Sequence, residues 1–174
     1  MITSKQKNVQ PIPKDYTTVT LWIISASSAK LIDFLKAAFD AEEVEKSRVY
    51  NEDGTIGHVE VRMGTAIVML FDAKEGWPPT PAFARLFVED GDAMYQKALK
   101  AGARSVTKMT RLFFGDLVGR VCDPFGNIWW IQEHVEDIDP TEFEKRAQTP
   151  ASIEAMKYVQ ASLDRELGGK ITQV

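Results

Sequence analysis

Asp123-Pro-Phe-Gly-Asn127, running into Ile128-Trp-Trp-Ile-Gln-Glu133, is the stretch on which the fold turns. Proline in the second position and a glycine free to take positive φ predict a tight turn. The apolar and aromatic run that follows predicts a strand. Leu117-Val-Gly-Arg-Val-Cys122 on the other side of the turn predicts its hairpin partner. Working outward, Ser105-Val-Thr-Lys-Met109 is a further strand, and a helix from Asp90 or Asp92 to Ala101 is closed by Gly102. Ala82-Phe-Ala-Arg-Leu-Phe-Val88 opens the unit as a strand. The order is β-α-β-β-β.

The same order stands upstream. Thr17-Thr-Val-Thr-Leu-Trp-Ile-Ile24 is a strand, with Thr20, Trp22 and Ile24 on one side and Leu21 and Ile23 on the other. Ser27 or Ser28 caps a helix carrying Leu31, Phe34, Leu35 and Ala38 at helical spacing. A second strand runs through Val49 and Tyr50, and Asn51-Glu-Asp-Gly54 turns the chain. Ile56-Gly-His-Val-Glu-Val-Arg-Met63 and Ala66-Ile-Val-Met-Leu-Phe71 complete the unit. Short echoes, Leu35-Lys-Ala37 against Leu99-Lys-Ala101 and Gly64-Thr-Ala-Ile67 against Gly126-Asn-Ile-Trp129, recur at a near-constant offset.

The fold class is therefore α+β, with modules over residues 17–72 and 82–137 in one domain, 17–137. Residues 73–81, with Pro78, Pro79 and Pro81, form the linker. Residues 1–16, punctuated by Pro11 and Pro13, are a flexible arm. Residues 138–174 are a helical extension. Its last helix, with Pro150 in the first turn, carries the stripe Ile153, Met156, Val159, Leu163 and Leu167. That stripe must bury against its own core or against a second chain.

Composition narrows the function. The 174 residues are 44% hydrophobic with a net charge of −4, which excludes a disordered chain. One cysteine excludes an internal disulfide framework, and two histidines leave few ways to build a His-based metal site. An acidic chain argues against nucleic acid as a partner. No run is long and apolar enough to span a bilayer, and Met1 to Lys14 has no apolar core of a signal peptide. The expectation is a cytoplasmic protein with no membrane partner.

Two β-α-β-β-β modules with Asp123-Pro-Phe-Gly-Asn127 before the last strand resemble the glyoxalase/bleomycin-resistance/extradiol-dioxygenase superfamily, also called the vicinal oxygen chelate superfamily. Ile56-Gly-His-Val-Glu-Val-Arg-Met-Gly64, Asp123-Pro-Phe-Gly-Asn-Ile-Trp-Trp130 and His134-Val-Glu-Asp137 look most like its PhnB-like branch. The resemblance implies that each module forms half a barrel, that paired halves enclose a cavity, and that the protein is a homodimer. It also implies, for metal-using members, one His, Glu or Gln ligand on the first and last strand of each module. Carried onto this chain, those positions are Thr20, Val68, Phe83 and Trp130, none of them a good ligand. A slip of one residue restores no carboxylate or imidazole. The expectation is no metal and no cofactor.

His58, Glu60 and Arg62 alternate along one strand and share a face. His58 and Glu60 are the candidate catalytic pair, the carboxylate as base or anchor and the imidazole as proton partner; a hydrogen-bonded row is the alternative. Trp22, Phe83 and Trp130 fall on the expected cavity faces, where large rings either fill the space or offer stacking surfaces. Arg111-Leu-Phe-Phe-Gly-Asp116 is a loop whose Phe113 and Phe114 pack in the cavity mouth. Asp116 and Arg120 are expected to pair, the alternative being that they orient a ligand, and Cys122 is expected to be buried and structural. Trp22, Glu60, Phe83, Arg85, Phe113 and Trp130 are the candidate ligand contacts. The leading reading is metal-independent binding of an aromatic or amphipathic small molecule, as in drug or metabolite sequestration. The alternatives are a lyase or isomerase using a relocated metal or His58 and Glu60, and a structural or regulatory dimer with a filled cavity.

Overall fold

The computed structural model describes residues 9–168. The first module contains β1 (Leu21–Ser25), α1 (Ser28–Phe39), β2 (Glu42–Glu43), β3 (Val49–Tyr50), β4 (Ile56–Met63) and β5 (Ala66–Asp72). The second contains β6 (Phe83–Phe87), α2 (Gly91–Lys100), β7 (Arg104–Arg111), β8 (Asp116–Cys122) and β9 (Ile128–His134). Two helices follow, α3 (Pro140–Ala147) and α4 (Pro150–Gly168).

The sheets have the same topology. The first runs β1-β5-β4-β2, with β3 also on β4; the second runs β6-β9-β8-β7. In each, the first strand pairs parallel with the last and the remaining pairings are antiparallel. The expected second strand is two short pieces, because Lys46 takes a left-handed φ of 61° between them. The expected first strand is shorter and begins at Leu21.

Helix ends follow the sequence with one exception. Asp90 caps α2 through its side chain, and Gly102 takes φ 104° just beyond it. Ser27 is the N-cap of α1 but makes no side-chain capping bond. Asp72 substitutes: its carboxylate accepts from the Ser28 N–H at 2.6 Å and the Ile56 N–H at 2.8 Å. That places a negative charge at a helix N-terminus and ties β5 to β4 and α1.

The turn that decided the fold is built around one buried side chain. Asp123 Oδ1 accepts from the Phe125 and Asn127 N–H groups at 2.8 and 2.9 Å. Its Oδ2 accepts from Asn127 Nδ2 at 2.7 Å and Trp129 Nε1 at 2.9 Å. Asn127 Oδ1 in turn accepts from the Ala82 N–H at 2.8 Å, fixing the start of β6.

One hydrophobic core serves both modules. Ile23, Leu35, Val61 and Leu70 from the first join Tyr95, Val121, Trp129 and Ile131 from the second. Phe39 and Trp129 meet across the junction with ring centroids 5.1 Å apart. The modules thus pack through their helices, α1 against α2, and each sheet turns its other face away from them; in the first sheet that face is helix-free, in the second α4 covers part of it.

Candidate functional site

Pairing register assigns each predicted residue to a face. In the first sheet Trp22 pairs with Met69 and Met69 with Glu60, so these three share the helix-free face with His58 and Arg62. Val68 pairs with Leu21 and Val61 and lies in the core beneath the helices. The position expected to face the cavity on β5 is therefore Met69, not Val68. The strand Ala66–Phe71 is apolar on both sides, so its own sequence carries no parity signal.

Glu60 is the polar centre of this face. Tyr16 Oη donates to Glu60 Oε1 at 2.7 Å, and His58 Nε2 lies 3.1 Å from the same oxygen. The bond to the Glu60 carboxylate raises the Tyr16 phenol above its ordinary range. Trp22 stands edge-on to His58 and to Phe71, with centroids 6.0 and 5.5 Å apart, and Phe71 meets Trp77 at 6.1 Å. Trp22 remains 53% exposed although it lies within a strand. Tyr16, assigned to the arm, is the residue the sequence did not flag; no pattern around it announces a partner 44 residues away.

In the second sheet Phe83, Arg85 and Phe87 share the face turned away from α2 with Trp130, Gln132, Arg120 and Asp116. Phe83 and Trp130 stack at 6.3 Å. Two guanidinium groups lie on the Trp130 ring, Arg120 at 3.9 Å and Arg85 at 4.5 Å. Arg120 is only 3% exposed. Its Nη1 donates to Thr107 Oγ1 at 3.1 Å and to the Val159 carbonyl at 2.9 Å. Burial, and then the neighbouring Arg85 charge, lower its pKa.

The expected Asp116–Arg120 pair does not form. Arg120 stands opposite Trp130 and Asp116 opposite His134, two rungs apart on one face. Asp116 instead accepts from Gln132 Nε2 and bonds His134 Nδ1 at 2.6 Å. His134 also reaches Asp137 at 3.0 Å, and the two carboxylates raise its pKa, Asp116 more strongly.

The C-terminal stripe packs on its own chain, and only in part. α4 lies along β7. Val159 and Ser162 are its buried residues, while Ile153, Met156 and Leu167 remain exposed. Val159 joins Leu112 and Val118, with Phe114, Trp130 and Ala155 against them, in a small second core. Ser162 Oγ meets Thr107 Oγ1 at 2.7 Å, and Tyr158 Oη accepts from the Lys108 N–H at 3.0 Å. Phe113 packs on Phe114 and on Phe143 of α3, at 5.4 and 5.0 Å.

The predicted contacts therefore form two groups. Trp22, His58 and Glu60 lie on the first sheet; Phe83, Arg85 and Trp130 lie on the second, with Phe113 by the extension. A cleft of about 730 Å³ lined by Phe39, Met63, Arg85, Phe87 and Lys97 lies at the module junction. Cys122 is buried. Thr20, Phe83 and Trp130 offer no carboxylate or imidazole, and neither does Met69, so the family's ligand positions do not fit a divalent metal. Among the described residues no group of three or more His, Cys, Asp or Glu could hold one elsewhere. Among those residues no helix is long and apolar enough to cross a membrane.

Comparison with known proteins places this arrangement. The family model for the Glyoxalase/Bleomycin resistance protein/Dioxygenase superfamily matches residues 17–131. Protein Rv0887c of Mycobacterium tuberculosis is 35% identical over 148 residues, covering 79% of this chain and 82% of that one. Among solved structures, TioX from Micromonospora sp. ML1 superposes with a TM-score of 0.57 at 21% identity, over 68% of this chain and 99% of TioX. A glyoxalase/bleomycin resistance protein/dioxygenase family enzyme from Burkholderia phytofirmans PsJN gives 0.56 at 14% identity, over 67% of this chain and 97% of the other. The two structural likenesses speak to the fold alone. By its sequence match over most of its length, this chain belongs to the Glyoxalase/Bleomycin resistance protein/Dioxygenase superfamily.

Proposed function

We propose that the protein binds an aromatic or amphipathic small molecule without a metal, as a sequestering member of its superfamily. The observation that carries this reading is the exposure of large rings on the sheet faces turned away from α1 and α2. Trp22, Phe83 and Phe87 are 53%, 52% and 65% exposed on β1 and β6, the edge strands of the two sheets, where an unliganded monomer gains nothing from them. Flat rings beside a carboxylate on one sheet and two guanidiniums on the other give stacking surfaces with polar anchors.

The same exposure supports a homodimer, in which a second copy closes each face into a cavity. The motifs Ile56 to Gly64, Asp123 to Trp130 and His134 to Asp137 favour the PhnB-like branch. Neither nucleic acid nor membrane is required by this reading, and the compartment is cytoplasmic.

Two observations favour other readings. The chain Tyr16–Glu60–His58 is the arrangement a lyase or isomerase would use for proton transfer, Glu60 as base and His58 as its partner. The seating of α4 on the second sheet is what a filled, structural face would show.

Tryptophan fluorescence titration with flat aromatic compounds, before and after chelator treatment, tests the proposal. A saturable response that survives chelation and falls in Trp22→Ala or Phe83→Ala supports it. Loss of response on chelation overturns metal independence, and no saturable response to any compound overturns binding. Light scattering checks the assembly: the proposal expects twice the 19.5 kDa chain mass.

A further inference from the structure

The face of the second sheet that α4 partly covers contains polar atoms that the folded chain does not use. Arg120 Nε, Trp130 Nε1 and Gln132 Oε1 are buried without a hydrogen-bond partner, and all three belong to side chains on this one face. Arg120 and Gln132 are 3% and 5% exposed. Among the described residues no carboxylate pairs with Arg120 or with Arg85, whose guanidiniums flank the same indole ring. A buried cation is normally compensated by an anion, and a bidentate carboxylate is the partner that guanidinium geometry fits best.

What Arg120 has instead is two neutral oxygens, the Thr107 hydroxyl and a backbone carbonyl. Val159 of α4 supplies the carbonyl to Nη1, and its side chain belongs to the small cluster against which Trp130 and Phe114 pack. An oxygen on the guanidinium with an apolar group against the indole is the pattern a ligand would make. The helix that supplies it is lightly held, with two of its residues buried and polar links at Ser162, Tyr158 and Glu166.

We propose that this face is a binding site for an aromatic carboxylate, with the carboxylate on Arg120 and Arg85, the arene on Trp130 and Phe83, and α4 as a self-ligand that the acid displaces. Trp130 Nε1 and Gln132 are the further polar groups the ligand meets. The inference rests on the second face being a ligand surface, and deepens that reading by naming the chemical class and the covering element.

The test uses the full chain carrying Thr107→Cys and Ser162→Cys, whose wild-type hydroxyls are 2.7 Å apart. Oxidation then fastens α4 to β7, reduction frees it, and mass spectrometry verifies the bridge. Benzoate, 2-naphthoate and indole-3-acetate are each titrated against their neutral amides by tryptophan fluorescence. In wild type and in the reduced variant at least one acid should bind about tenfold more tightly than its amide. Oxidation should weaken that acid by about tenfold or more. Arg120→Met should erase the preference for acid over amide. Equal binding of acids and amides overturns the inference while leaving aromatic binding intact. Equal binding to oxidised and reduced protein overturns the displacement of α4 and with it this site. No binding of either series overturns both this inference and the proposed function.

Discussion

Asn in place of Asp123 keeps the shape of the side chain and changes its hydrogen-bonding capacity. All four partners of the carboxylate are N–H donors, two on each oxygen. An amide NH2 must face two of them whichever way it is turned. Hydrogen bonds to a charged group contribute about 1.5–3 kcal/mol each, so losing two costs about 3–6 kcal/mol. That is a large share of the 5–15 kcal/mol that typically separates a folded domain from its unfolded state. Urea unfolding followed by tryptophan fluorescence measures it, with an unchanged m-value as evidence that the fold is the same. Trp129→Phe adds a second check. It removes the Nε1 donor together with part of a buried ring; the packing loss is common to both backgrounds, so the donor's share shows as a smaller cost in the Asp123→Asn background than in wild type. A loss below about 1 kcal/mol for Asp123→Asn would refute the idea that the carboxylate organises the turn.

Two other outcomes follow from the geometry. Gly115→Ala should cost about 3 kcal/mol or more, because φ is +94° and the new Cβ would lie 2.1 Å from the Glu136 carbonyl oxygen. Gly54→Ala, with φ +82° and open space, should cost about 1 kcal/mol, and equal losses in thermal unfolding would refute the steric argument. His134 has a pKa raised above 6.5 by Asp116 and Asp137, so its contribution is complete below that value and fades as pH climbs through the raised one. The stability gap between wild type and His134→Gln should accordingly be wider near about pH 6 than near about pH 9, and a pH-independent gap would refute the pairing.

The architecture was readable from local chemistry. Asp123-Pro-Phe-Gly-Asn127 announced a turn, and the strands Ile56–Met63 and Ala66–Asp72 stood out by composition and their two-residue connection. What eluded the sequence depended on partners distant in the chain. The face of Val68 is set by Leu21 and Val61. The failure of Asp116 to meet Arg120 is set by the pairing of β8 with β9. Tyr16 is recruited by Glu60 across an arm that carries no regular pattern. The aromatic faces were legible because the family resemblance placed Phe83 and Trp130 at ligand positions and alternation carried Trp22 to the side of Thr20. The seat of α4 on β7 was not, since its stripe is as suitable for a partner as for its own chain.

The parallel pairings set an order of assembly. Leu21 waits for Val68, and Phe83 waits for Ile128, before either sheet can close. Hairpins β4–β5 and β8–β9 need only a short turn and can zip early. On the ribosome the first sheet can complete once Asp72 has emerged, yet Phe39 and its helix still lack Trp129. The nascent first module therefore holds an uncovered apolar flank until the second is nearly finished, and this interval is when the chain is most open to aggregation.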